Sequence, residues 1–160
     1  MDAIKFAKWA AVIIGVIVLI KLLRDWGLLG KTDEEINTEK FNDLETFKPE
    51  FIKTAGFKIA KKLNKPVNQL NAQDLNKFMP SLADTKNFVK SLADAKSVWD
   101  DDETKIYSAF RSVKSQFYLN RYNKYFVETI KKSIPDYLAD FMNEKEISKI
   151  YTIIKNKPII

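Results

Sequence analysis

The sequence predicts an all-α protein made of an N-terminal transmembrane helix, a polar spacer and a compact multi-helix bundle. Three observations predict it. An uncharged, mostly apolar stretch lies between Lys8 and Lys21, and no glycine follows Gly56, while prolines fall at 66, 80, 135 and 158. Further along, apolar residues recur at steps of three, four and seven. A glycine-free chain builds few tight hairpins, whereas spaced prolines punctuate helices.

The first element is read as a retained membrane anchor over residues 1–31. Twelve uncharged residues separate Lys8 from Lys21, and at helical rise they cover only ~18 Å of a hydrocarbon layer about 30 Å thick. The span lengthens if both lysines bury their methylene stems, and Trp9 and Trp26 then lie ~25 Å apart, near the two interfaces that indoles prefer. Trp9, Ile13, Ile17, Ile20 and Trp26 are the anchor residues. A cleavable signal peptide has an apolar core of similar length, but no small-x-small site follows Ile20. An interfacial helix is the other alternative. Basic residues flank the stretch on both sides, so they assign no orientation. Ala10, Ala11 and Gly15 offer a small-residue seam for self-association.

Residues 32–49 follow as an acidic spacer, with few apolar side chains. Thr32 with Glu35 also has the pattern of a capping box, which would open a helix there. Residues 50–160 form the helical domain, with helices expected over 50–63, 67–79, 81–99, 102–114, 115–132, 135–143 and 144–156. Start signals support several of these: Ser81 with Asp84, Asp101 ahead of Glu103, Pro135 in a first turn, and Asn143 with Glu146. The core faces are Leu82, Val89, Leu92 and Trp99; Ile106, Phe110, Val113 and Phe117; Leu119, Tyr122, Phe126 and Ile130; and Ile147, Ile150, Tyr151 and Ile154. The near repeat at Ser81–Lys86 and Ser91–Lys96 turns ~80° between copies, so the copies share no face.

Composition restricts the chemistry. The 160 residues include no cysteine and no histidine, which removes disulfides, thiolate nucleophiles, imidazole acid–base catalysis and the common transition-metal ligand sets. Net charge is +3 over residues 1–31, −5 over 32–50 and +8 over 51–160. Nearly all the cations are lysine, which lacks the bidentate fork of arginine, so the basicity points to general attraction rather than base or phosphate reading.

Asp100-Asp101-Asp102-Glu103 is the densest acidic cluster. Its carboxylates are adjacent rather than alternate and no glycine turns the loop, so it reads as a helix start rather than a calcium site. Between residues 114 and 132, aromatics interleave with positive charge. That pattern suits single-stranded nucleic acid, lipid headgroups or protein. Helical spacing turns Phe117, Tyr122 and Phe126 to the core, leaving Lys114, Tyr118, Arg121, Lys124, Lys131 and Lys132 as a contact surface that favours lipid or protein over nucleic acid. No phosphate loop, nucleophile elbow or metal-binding helix motif occurs. A paired-carboxylate wall hydrolase lacks a glutamate in the Glu-Ser setting of lytic transglycosylases, and Glu103 and Asp140 are the acids that would test it. The reading is therefore not an enzyme, with no catalytic, cofactor or metal residues.

The stretch Ala93-Asp-Ala-Lys-Ser-Val-Trp-Asp-Asp-Asp-Glu-Thr-Lys-Ile-Tyr-Ser-Ala-Phe110 resembles the start of an annexin-type four-helix repeat, where a Gly-Thr-Asp-Glu turn opens a helix. Asp102-Glu103 and Ile106 match, and the likeness continues through Tyr125, Asp136-Tyr-Leu138 and Glu146–Ile154, covering about residues 93–155. Asp100 and Asp101 replace the Gly-Thr pair, so calcium-dependent membrane binding is not carried over. In architecture, the chain is similar to small single-span membrane proteins of bacteria and of membrane-containing, tail-less phages with one degraded repeat. This resemblance implies a structural virion protein linking an internal lipid membrane to the capsid. Its partners would be the bilayer, capsid or other virion protein, and copies of itself. The alternative is an adaptor anchored in the bacterial inner membrane that binds a protein partner.

Overall fold

The computed structural model describes residues 16, 18, 19, 22, 23, 30–96 and 102–160. It divides into two units, Met1–Asp33 and Glu34–Ile160. In the first, Val16, Val18, Leu19, Leu22 and Leu23 have helical backbone. Among the described residues, no helix is long and apolar enough to cross a membrane. The anchor residues Trp9, Ile13, Ile17, Ile20 and Trp26 all lie outside the described residues.

The second unit is all-helical over its described residues, as the sequence predicts. Helix α1 (Asp33–Asn42) comes first and corrects the spacer reading. Its Phe41 is fully buried and meets Phe47 edge-on at 5.3 Å. The acidic run looks like a linker because a single aromatic carries its burial, and one residue makes no periodic pattern. A 3-10 turn at Glu45–Phe47 leads to α2 (Phe51–Leu63), which stops at Asn64 in the left-handed conformation that asparagine tolerates.

The expected helix over 67–79 is broken into a 3-10 turn at Val67–Gln69 and a short α3 (Ala72–Asn76). The first stops at Leu70 in extended backbone, and Asn71 starts the second through a reciprocal capping box with Asp74. Helices α4 (Leu82–Ala95), α5 (Glu103–Ser112), α6 (Gln116–Ile130), α7 (Ile134–Ala139) and α8 (Glu144–Lys155) follow close to expectation. Ser81 caps α4, Asn143 and Glu146 box the start of α8, and Pro135 sits in the first turn of α7. The cap of α5 is Asp102. Asp101, expected there, lies outside the described residues, as does Trp99.

Most apolar stripes face inward as spaced. Ile106, Phe110, Phe126, Ile150 and Ile154 are at most 1% exposed. Two stripe members do not: Leu82 is 61% exposed and Ile130 36%. Each sits at a helix end, and further along α4 Phe88 is buried, stacking on Tyr122 at 4.5 Å.

Two hydrophobic clusters result. The larger joins α1 and α4 to α8, and α1 is further held by Asn37 Nδ2 donating to Ser148 Oγ and Thr38 Oγ1 to the Glu144 carbonyl. The smaller has four buried members, Phe51, Ala55, Ile59 and Phe117, rimmed by half-buried residues of α2, α3 and the chain end. Helix α6 belongs to both, touching α2, α4, α7 and the first 3-10 turn.

A candidate binding surface on helix α6

Helix α6 is positioned from one side by its own amides. Asn120 Nδ2 donates to the carbonyls of Thr46 and Lys48 at 2.8 and 3.0 Å. Asn123 Nδ2 donates to the Phe47 carbonyl at 3.0 Å, and its Oδ1 accepts from the Ile134 amide at 2.8 Å. These side chains are 7% and 6% exposed, so each bond replaces water that the groups have lost. The sequence reading passed over both asparagines. A mid-helix Asn is ordinarily a weak helix former, and its spacing of three on the buried face was the signal that could have shown it.

From the other end, the chain terminus supplies what the first turn of α6 lacks. The amides of Gln116 and Phe117 donate to the carbonyls of Pro158 and Ile159 at 2.8 and 2.9 Å. Ser115 Oγ accepts from the Tyr118 amide. The orphan donors of a helix start are thereby satisfied by a segment some forty positions away. Gln116 Nε2 also donates to the Lys157 carbonyl, and Thr46 Oγ1 donates to Gln116 Oε1.

The six expected contact residues divide among three environments. Lys114 sits 6.0 Å from the Tyr118 ring, beside a hollow of about 230 Å³ that Asp84, Asn87 and Tyr122 also line. Tyr122 itself is buried, and burial, with smaller contributions from Asp84 and Tyr118, pushes its hydroxyl up to about 12. It therefore stays a neutral phenol and packs as core. Lys131 ends α6 in the left-handed region and donates from Nζ to the Glu128 carbonyl, so its work is to stop the helix. Lys132 is paired with Asp140 at 2.8 Å.

Arg121 and Lys124 form the third group. Together with Glu128 they make a ridge of i, i+3 and i+7 positions between two hollows. One, of about 520 Å³, has apolar walls from Phe47, Pro49, Ile52 and Val127, with Asn120, Asn123 and Ser133 at its polar edge. The other, of about 290 Å³, is lined by Met79, Pro80, Leu82, Thr85 and Tyr125. Among the described residues, neither Arg121 nor Lys124 has a hydrogen-bond or ion-pair partner, although Arg121 is half-buried.

Three aspartates are shifted away from general-acid chemistry. The Lys132 hydrogen bond, outweighing burial and aided by Lys96, holds Asp140 below the ordinary carboxylate range. Asp74 and Asp94 are lowered in the same sense, by Lys65 and Lys90 foremost. A general acid needs a raised value so that it keeps its proton near neutrality. The chain matches no protein-family model, no curated protein and no solved structure.

Proposed function

We propose that this chain is a structural membrane protein of a membrane-containing phage virion, whose helical unit docks a protein of the shell while its N-terminal segment sits in the internal membrane. The observation that carries the docking half is the bare cationic ridge of Arg121 and Lys124 between two partly apolar hollows. Apolar walls with a few polar or charged groups at the rim are what a partner's side chains fill. The membrane half is supported by the twelve-residue uncharged stretch bracketed by Trp9 and Trp26. The likeness of residues 93–155 to annexin-type repeats, and of the whole layout to single-span phage proteins, supports the virion setting.

Quantitative peptide mass spectrometry across a density gradient of the source's particles, before and after detergent extraction, tests the proposal. A virion membrane protein peaks with intact particles and leaves with the lipid. Retention in host membrane fractions overturns the virion assignment and favours the inner-membrane adaptor.

A further inference from the structure

We infer that the ridge and its two hollows receive an amphipathic acidic segment of the partner protein, with apolar side chains in the hollows and a carboxylate on Arg121. The inference rests on the reading that the helical unit docks a protein.

Charge and shape both select this occupant. Arg121 faces both hollows and is half-buried without an internal partner among the described residues, so a carboxylate there gains a charge-assisted bond that water partly withholds at present. Lys124 adds a second cation one turn on. Glu128 closes the same ridge with the opposite sign, so the partner's carboxylate belongs at the Arg121 end and its orientation is set. The exposed apolar groups lie beside the ridge rather than along it. Val127, 41% exposed, flanks the larger hollow, and Leu82, 61% exposed, flanks the smaller. Leucine-sized anchors at i, i+3 and i+7 form one stripe on a helix; laid in the larger hollow, they bring a glutamate at the stripe's edge onto the ridge at Arg121. A headgroup phosphate would satisfy Arg121 but leave the walls of Phe47, Pro49, Ile52 and Val127 uncovered.

Fluorescence anisotropy on the full-length protein in neutral detergent micelles, with three labelled synthetic peptides, tests this. The first carries leucines at i, i+3 and i+7 with glutamates on the opposite face and edges; the second has lysine for glutamate; the third has serine for leucine. The proposal predicts saturable binding of the first alone. It also predicts about tenfold or greater weakening by Arg121→Glu and by Val127→Asp, and no change from Lys145→Glu on α8, which lines neither hollow. Absent binding of the first peptide, equal binding of the lysine peptide, or equal weakening by Lys145→Glu overturns it. So does equal binding of the serine peptide, which reduces the ridge to an anion patch such as a lipid phosphate fills. Circular dichroism of each variant identifies any loss that is unfolding, and Arg121→Gln then supplies the milder charge removal. If the peptide fails while the chain copurifies with particles, only this surface is wrong; if the chain stays in host membranes, the peptide result still describes an adaptor.

Discussion

The two hydrophobic clusters of the helical unit are held together in different ways. The larger is made by apolar mass: Phe88, Leu92, Phe110, Phe126, Leu138 and Ile150 interlock with almost no exposure. The smaller has four buried members and leans on polar stitches. Gln116 ties the chain end to α6, the Lys65–Asp74 pair ties the end of α2 to α3, and Asn120, Asn123 and Thr46 tie the turn that leads into α2 to α6. Where a segment cannot bury enough apolar area to offset its ordering entropy, satisfied buried hydrogen bonds specify its place instead. The hollows beside Arg121 and Lys124 draw their walls from both clusters, Phe47 from the rim of the larger and Ile52 and Met79 from that of the smaller.

The comparison breaks most visibly with one phenylalanine from each side. Phe126→Ala removes a fully buried ring of the large cluster and is expected to lower global stability by about 3–5 kcal/mol. Phe51→Ala should instead release α2 and α3 first. Hydrogen exchange then shows α2 losing protection while α5 and α8 keep theirs; uniform loss in both variants would make the unit a single cooperative core.

A smaller effect is expected from Asn120→Ala, about 1–3 kcal/mol, because it strands the Thr46 and Lys48 carbonyls that its amide now serves. Chemical denaturation measures it, and a loss below about 0.5 kcal/mol would mean water replaces the amide freely.

Acid should act on the stitched side. Asp74 is 2% exposed as a residue and its carboxyl is held low, foremost by the Lys65 hydrogen bond and against the pull of burial. A depressed folded value stabilises fully above the unfolded carboxylate range near 3.9 and is lost as pH falls through the folded value. Protection in α3 should therefore drop selectively below about pH 4, and Asp74→Asn should abolish that dependence while weakening the capping box at neutral pH. Asp94 and Asp140 are also lowered but stand more exposed, so solvent screens their share.

The smallest change is expected at Leu82. It belongs to the sequence stripe of α4 yet is 61% exposed, so Leu82→Ser should leave stability within about 0.5 kcal/mol. A larger loss by thermal melting would return it to the core.

Much of the fold was legible because local rules and burial agree. Ile106, Phe110 and Val113 repeat at helical spacing and are all buried in the larger cluster, whereas Phe117, four residues on, stands on the next helix and is buried in the smaller. Ser81, Pro135, Asn143 and Glu146 mark helix starts by chemistry that acts within four residues. Helix α1 was readable only as an alternative, since its one buried ring pairs with Phe47 across a turn. The site was legible only in its charge. Arg121 and Lys124 stood in the basic–aromatic run, but the same run also held Lys131, a helix stop, and Lys132, already paired with Asp140.

By itself, then, the sequence determined the helical class, most helix boundaries, the glycine-poor second half and the excess of lysine, since each follows from propensity, capping and periodicity over a few residues. The tertiary structure alone decided that Asn120 and Asn123 clamp the Glu45–Phe47 turn. It also decided that Pro158 and Ile159 cap α6, and that, among the described residues, Arg121 and Lys124 front two hollows while Lys131 and Lys132 serve the helix end and Asp140. Those outcomes depend on groups 11 to about 76 positions apart meeting in space, and no local preference encodes which distant partner will be there.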